Sequence, residues 1–357
     1  MSAPRVTGTS TTTARLPALD GVRAIAVLGV IANHSGLVGL GWVGVDIFFG
    51  LSGYLITGIL LDARQAGPSA REYFVPFYMR RALRILPLAW AVAIFMAFVR
   101  GQWSGLGWYM GYLVNWLPHS PPPRDLGHYW SLAVEEQFYM IWPAVVFFAS
   151  RKTLLRVSLG IIAFDILCRF GFSMWPPSFA TEQFLGLATF ARADTLVVGA
   201  LLAQHERNRG WGREVGWAVP IAVLSVIALV AIRALEKRDT AFLLTYNLKW
   251  PVIAVGVGAG LIWVLNNPPR VLQWPWLVWL GQISYGIYVI HSCFGQWLHA
   301  HFSSYIVVFA LQTGVTIPMA AASWYWFESP ILKQKRRWPM ARPSRTKPTA
   351  ALPTAIQ

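Results

Sequence analysis

The stretch that decides the fold is residues 20–38, DGVRAIAVLGVIANHSGLV, in which Asp20, Arg23 and His34 are the ionisable residues of an apolar run. As an α-helix, a run of this length reaches across the roughly 30 Å of hydrocarbon in a bilayer. Residues 1–19 are polar and rich in Ser and Thr, and no A-x-A-like cleavage site follows the apolar run. The sequence therefore predicts a retained first membrane span behind a polar tail.

The composition extends this prediction to the whole chain of 357 residues. Hydrophobic types make up 55% of the chain, the mean hydropathy is +0.47, and only 13% of residues are charged. A soluble protein of this size would not tolerate so much apolar surface. The net charge of +15 comes mainly from Lys and Arg between and beyond the apolar runs, where they act as orientation signals. These features predict a polytopic membrane protein and argue against a nucleic-acid partner.

The apolar runs predict an all-α fold of about ten transmembrane helices. The predicted spans are 20–38, 43–61, 83–100, 131–149, 154–171, 186–203, 215–234, 250–265, 279–298 and 303–327. The aromatic stretch 104–118 is not counted, because a crossing there would put the basic residues 151–156 outside the cell. Both termini are then cytoplasmic, and the charge-balanced residues 236–239 lie outside.

The chain is predicted to form one membrane domain, residues 20–332, between the polar cytoplasmic tail 1–19 and a basic, disordered cytoplasmic tail 333–357. No internal repeat is visible. The two cysteines, Cys168 and Cys293, are isolated within apolar segments and have neither metal-ligand spacing nor the pattern of a disulfide framework. We therefore expect neither a metal site nor a disulfide.

Ionisable side chains inside spans are costly, so each one is a candidate functional residue. Arg23 and His34 lie three helical turns, about 16 Å, apart on nearly the same face. Asp46 opens the second span at a depth comparable with that of His34, and could hold the tautomer of its imidazole. The alternatives are that Arg23 snorkels to the interface, that His34 bonds between helices, and that Asp46 is a first-turn helix acid.

A cluster of arginines marks the start of the third span. Arg80 and Arg84 are one turn apart, with Arg81 beside them, and three guanidinium groups at the mouth of a helix suit phosphates. The alternative interpretation is an anchor that obeys the positive-inside rule.

Glu135 enters the fourth span from outside, at a depth like that of Asp46. A carboxylate beside the imidazole of His34 would raise its basicity, and a structural contact between helices is the alternative. Ser52 and Gly53, in the second span, are interpreted as small residues that allow close helix approach.

Taken together, these segments resemble the acyltransferase-3 family, bacterial membrane O-acyltransferases that modify polysaccharides, nodulation factors and some antibiotics. The segments that carry the resemblance are Arg23 with His34, 44–55, 80–87, 130–143, 284–291 and 327–330. The departures are mild: Gly50 stands where the family often has Val, and Tyr54 where it often has Phe. The sequence has no counterpart of the esterase-like domain that some members carry at the C-terminus.

The resemblance implies a bacterial inner-membrane enzyme that moves an acyl group, expected to be acetyl, from acyl-coenzyme A to a carbohydrate hydroxyl. It implies a co-substrate and no permanently bound cofactor. The predicted phosphate-binding residues are Arg80, Arg81 and Arg84, and the catalytic candidates are His34, Glu135, Asp46 and Arg23. His34 would either deprotonate the acceptor hydroxyl or carry the acyl group as an acyl-imidazole.

Two other functions remain open from the sequence. One is a proton-coupled transporter of a lipid-linked or secreted metabolite, with His34, Asp46 and Glu135 as a proton relay. The other is a receptor-like or scaffolding protein. The remaining histidines lie near predicted span ends, where interfacial hydrogen bonding is the commoner role; these are His119, His128, His291, His299 and His301.

Overall fold

The computed structural model describes residues 16–117, 121, 123–173, 184–236 and 242–341. These residues form helices and connecting turns, and no β-strand occurs among them. The α-helices are α1 (Pro17–His34), α2 (Val43–Gln65), α3 (Ala70–Arg100), α4 (Leu106–Met110), α5 (Tyr129–Phe148), α6 (Arg151–Ser173), α7 (Asp194–Arg209), α8 (Glu214–Glu236), α9 (Phe242–Asn266), α10 (Pro275–Ile290), α11 (Gly295–His301), α12 (Tyr305–Ser323) and α13 (Ser329–Lys333). The predicted all-α class is confirmed for the described chain.

Six of the described helical stretches are long and apolar enough to cross a membrane. They are Val43–Gln65, Ala70–Arg100, Glu214–Leu235, Asn247–Asn266, Pro275–His301 and Tyr305–Arg337. The predicted count of about ten is not confirmed, because α1, α5, α6 and α7 do not meet this criterion of length and hydropathy. These four helices carry ionisable residues of the bundle, among them Arg23, Glu135, Arg169 and Asp194.

The stretch predicted not to cross contains only the short helix α4 and a 3-10 turn, Val114–Trp116. Helix α1 begins at Pro17, three residues before the predicted boundary, and α3 begins at Ala70, well before the predicted span. Ser69 caps α3 by accepting a hydrogen bond from the backbone N–H of Glu72, in a capping box. The basic residues Arg5 and Arg15, His119, and residues 237–239 lie outside the described residues.

Glycines set the close contacts that place the site. Helix α1 packs against α10, and α2 packs against α7. A Cβ atom added at Gly281 would lie 1.9 Å from the backbone oxygen of Asp20, and one added at Gly53 would lie 1.8 Å from that of Leu196. Side chains at these positions would push the helices apart, so the predicted role of Gly53 in close helix approach agrees with the structure.

The chain after α12 departs from the sequence-based prediction. A tail disordered from Lys333 was expected, but α13 continues through Lys333 and a 3-10 turn follows over Gln334–Arg337. The physical reason is a pair of hydrogen bonds from Arg80 on α3 to backbone carbonyls of this stretch. Residues 342–357 lie outside the described residues.

Candidate active site

A cavity of about 450 Å³ lies between α1, α2, α3, α5, α10 and the residues after α12. We call it the basic cavity because four cationic side chains and two carboxylates line it: Arg23, Arg81, Arg84, Lys335, Asp20 and Glu135. Four of the predicted site residues therefore meet in one place, namely Arg23, Arg81, Arg84 and Glu135.

The arginines of the basic cavity are not equivalent. Arg23 pairs with Asp20, at 3.0 Å between Nη1 and Oδ1. Arg84 lies 3.4 Å from a carboxylate oxygen of Glu328. Arg81 lies over the ring of Tyr139, 5.4 Å from its centroid, and forms no ion pair in the described part of the chain. One arginine thus faces the cavity without a carboxylate to neutralise it.

Glu135 is held by a side chain of the second helix. Ser52 donates a hydrogen bond to Glu135 Oε1 across 2.7 Å, which joins α2 to α5. Ser52 thus does more than allow close helix approach, because its hydroxyl fixes the carboxylate at the cavity wall. Glu135 does not contact His34, so the predicted pairing of carboxylate and imidazole is not formed.

Phe48, Ser131 and Tyr288 also line the basic cavity. The hydroxyls of Ser131 and Tyr288 are hydrogen-bonded to each other, and Tyr288 Oη also lies 3.2 Å from the backbone oxygen of His128. His128 precedes Ser131 by three residues and His291 follows Tyr288 by three. Both histidines therefore lie about one helical turn from side chains that line the cavity.

Three histidines form a cluster beside Ser131 and Tyr288, namely His34, His128 and His291. His34 Nδ1 and His291 Nε2 are 2.9 Å apart, and the ring of His128 lies 4.7 Å from that of His291. His128 and His291 are buried, whereas His34 is exposed. His34 does not line the basic cavity, although its partner His291 lies one helical turn from Tyr288, which does.

Hydrogen bonding assigns the tautomers of this cluster. His291 Nδ1 lies 2.6 Å from the backbone oxygen of Tyr288, an acceptor, so that nitrogen carries the proton. In neutral His291, Nε2 is then an acceptor, and its neighbours His34 Nδ1 and Ser292 Oγ, at 3.1 Å, act as donors. This assignment places the His34 proton on Nδ1 and leaves its Nε2 unprotonated.

His128 and His291 were predicted to be interfacial hydrogen-bonders, and their place beside His34 was missed. One signal was available in the sequence. Each is three residues from a hydroxyl side chain, Ser131 or Tyr288, and i,i+3 neighbours share a helix face. Of the other exposed histidines, His299 donates to the backbone oxygen of His34 at 3.0 Å.

Asp46 belongs elsewhere. Its Oδ1 accepts a hydrogen bond from Arg192 at 2.8 Å, and the Arg192 guanidinium lies 3.7 Å from the centroid of the Trp250 ring. Arg169 pairs with Asp194 at 2.9 Å close by. The predicted hydrogen bond between Asp46 and His34 is not formed, because the carboxylate is taken by an arginine of the chain before α7.

Arg80 also departs from its predicted role. It is absent from the lining of the basic cavity and instead donates from Nη1 to the backbone oxygens of Lys335 and Trp338, at 3.2 and 3.3 Å. Lys335, which the sequence placed in a disordered tail, lines the cavity in its place. Among the described residues, no group of three or more His, Cys, Asp or Glu side chains could hold a metal ion.

The fold and the site define a helical membrane protein in which a cavity lined by cations lies near a cluster of three histidines. Comparison with known proteins narrows this class. A family model described as an acyltransferase domain, acyltransferase-3, matches residues 16–327, so the chain belongs to the acyltransferase-3 family. The predicted resemblance is confirmed.

Curated relatives agree with this family. The chain is 30% identical over 316 residues to the peptidoglycan O-acetyltransferase OatA of Listeria monocytogenes, covering 77% of this chain and 49% of the relative. It is 30% identical over 364 residues to the putative peptidoglycan O-acetyltransferase YrhL of Bacillus subtilis, covering 89% and 55%. Putative O-acetyltransferases of Staphylococcus aureus are 27% identical over 354 residues, covering 89% and 58%. The chain spans about half the length of the relatives it matches, and no solved structure matches it.

Family and relatives support the enzyme class that the sequence predicted, an O-acyltransferase. They do not favour the alternative of a proton-coupled transporter. The geometry gives a separate reason, since Asp46 bonds to Arg192 and Glu135 to Ser52, so these carboxylates do not form a relay with His34.

Proposed function

We propose that this chain moves an acyl group, most simply acetyl, from acyl-coenzyme A to a hydroxyl of a carbohydrate or glycosylated acceptor. The observation that carries the proposal is the alignment of two features. A cavity rich in cations suits the phosphates of the donor, and one of its lining residues, Tyr288, lies one helical turn from His291, whose Nε2 is 2.9 Å from His34 Nδ1.

The donor would enter at the basic end, which the positive-inside rule assigns to the cytoplasm, with both termini on that side. Arg81 and Arg84 would hold its phosphates, Arg23 would line its path, and the pantetheine arm would extend toward Tyr288 and Ser131. Movement of these two side chains would bring the thioester to His34. The acceptor would reach His34 from the opposite face, as an extracytoplasmic or lipid-linked sugar does, and the names of the relatives make a peptidoglycan sugar a reasonable candidate.

In the reaction, His34 Nε2 takes the proton of the acceptor hydroxyl while its oxygen attacks the thioester carbonyl. The C–S bond breaks, an ester forms, and the proton passes from Nε2 to the sulfur of the leaving coenzyme A. Because His34 Nδ1–H donates to His291, the positive charge that forms on the His34 ring is stabilised by a buried acceptor. An acyl-imidazole on Nε2 would use the same lone pair, and trapping of acylated protein would reveal it.

The test is acyl transfer from labelled acetyl-coenzyme A by the purified full chain in detergent or lipid nanodiscs, with peptidoglycan fragments as acceptors. We expect His34→Ala to lower kcat by about a thousandfold, the loss of a general base. His301→Ala is the matched control, since His301 is exposed and its ring bonds only to the backbone oxygen of Trp297. Undiminished transfer by His34→Ala would remove the mechanism.

A further inference from the structure

The residues that follow α12 form one wall of the basic cavity. They comprise a π-helical turn, Trp324–Glu328, then α13, then the 3-10 turn Gln334–Arg337, and we call Trp324–Trp338 the C-terminal segment. Three of its side chains line the cavity: Trp324, Leu332 and Lys335. The wall that they form lies beside Arg84, whose guanidinium is 5.3 Å from the centroid of the Trp324 ring.

Lys335 differs from its basic neighbours in the same segment. Lys333, Arg336 and Arg337 are exposed and do not line the cavity, whereas Lys335 is half-buried and does. Its ammonium group has neither a hydrogen bond nor an ion pair with any residue that the structure describes. Arg81 and Arg84 are near enough to act on it electrostatically.

The ion pairs of the cavity show which of its cations have a carboxylate partner. Asp20 neutralises Arg23 and Glu328 neutralises Arg84. Arg81 and Lys335 have no such ion pair in the described chain. Two unpaired cations in a partly buried cavity repel each other and are costly, and a polyanion bound between them would relieve that cost.

Arg80 fixes the position of Lys335. Its Nη1 donates to the backbone oxygen of Lys335 and to that of Trp338, three residues on. These bonds tie the last turn of the C-terminal segment to α3, the helix that also carries Arg81. Arg80 thereby fixes Lys335 relative to Arg81, so that both unpaired cations line the same cavity.

We propose that Lys335 is a phosphate-binding residue of the donor site and that Arg80 is its positioning residue, not a phosphate ligand itself. The ligand class is a nucleotide with several phosphates, such as coenzyme A. The inference rests on the proposed function for the identity of this ligand, yet binding can be measured without transfer.

The experiment measures the Kd of coenzyme A and of pantetheine, which lacks all phosphates, for the purified full chain. Lys335→Gln should raise the Kd of coenzyme A about tenfold, the loss of one charge-assisted contact, and leave that of pantetheine unchanged. Lys335→Arg should restore the affinity. The matched control, Arg336→Gln, removes the same charge one residue further on, from an exposed position, and should bind as wild type does.

Arg80→Gln should weaken coenzyme A binding to a similar extent, and the double variant with Lys335→Gln should be no weaker than the single variants, because both act through one contact. Equal losses for coenzyme A and pantetheine would mean a merely structural role and would overturn the inference. A Lys335→Gln variant that binds coenzyme A like Arg336→Gln would also overturn it. So would wild-type protein that does not bind coenzyme A, or that binds a short-chain lipid phosphate in its place. Binding without transfer would overturn the proposed function alone.

Discussion

Two groups of charged side chains lie between the helices, and they differ in what surrounds them. Asp46, Arg192, Asp194 and Arg169 form a buried ion network in which each residue is at most 3% exposed. The basic cavity is lined by six charged side chains, all half-buried except the buried Asp20, and they border about 450 Å³ of open space.

A charged side chain inside a membrane protein is therefore not by itself evidence of a functional site. In the ion network each arginine has a carboxylate partner supplied by the protein, which offsets much of the cost of burial. In the basic cavity, by contrast, Arg81 has no ion pair within the described part of the chain and lies over the ring of Tyr139. Open space and missing partners together distinguish a binding site from a structural pair.

The largest expected effect is on the ion network. Asp46→Asn leaves Arg192 buried without its carboxylate, and should lower the free energy of unfolding by about 3–5 kcal/mol. Thermal or denaturant unfolding in detergent measures this loss. The double variant Asp46→Leu, Arg192→Met should recover much of it, since it removes both charges. If Asp46→Asn unfolds like wild type and yet loses transfer, Asp46 acts in the chemistry, as the sequence predicted.

The second effect belongs to the histidine cluster. His291→Phe removes the acceptor of the His34 Nδ1–H bond, and should lower kcat by about a hundredfold with the KM of the donor unchanged. His291→Gln should retain more activity, because its amide oxygen can accept the same bond. His301→Phe serves as the control. Equal activity of the Phe and Gln variants would argue that His291 only fills space.

Much of the fold was accessible from local patterns in the sequence. Apolar runs of bilayer length predicted helices. Turn spacing paired Arg80 with Arg84, but in the structure Arg81 and Arg84 line the cavity and Arg80 does not. The basic cavity gathers Arg23, Arg81, Arg84 and Glu135. The sequence placed the arginines near the cytoplasmic end and Glu135 near the outer end of its span beside His34, so the meeting of Glu135 with the arginines was not predicted. The chemical roles predicted for these residues stay predictions.

The contacts that the sequence did not predict all join distant helices. His34 and His291 are 257 positions apart, Arg192 and Asp46 are 146 apart, and Arg80 and Lys335 are 255 apart. Periodicity reports the face on which a residue lies but not which helix that face meets. For this reason the partner of His34 was sought in a carboxylate of the next helix, whereas packing of α1 against α10 supplied a histidine.

The smallest effect on stability is expected for Glu135→Gln, which makes the same chemical change as Asp46→Asn in the other region. The amide oxygen can still accept from Ser52, and Glu135 borders open space, so the free energy of unfolding should change by less than about 1 kcal/mol. Transfer should nevertheless fall about tenfold, because the cavity loses a negative charge that lies near enough to Arg81 and Arg23 to act on them electrostatically.

Unfolding and transfer must be measured on the same preparations. The two regions differ in how much a substitution lowers transfer relative to how much it lowers the free energy of unfolding. Ser52→Ala is the companion variant: it keeps the Glu135 charge and removes its hydrogen bond, so transfer should fall by less than in Glu135→Gln. If instead Glu135→Gln destabilises the protein as much as Asp46→Asn, the carboxylate is a structural ion of the bundle. Open space beside a charged side chain would then not distinguish the basic cavity from the ion network.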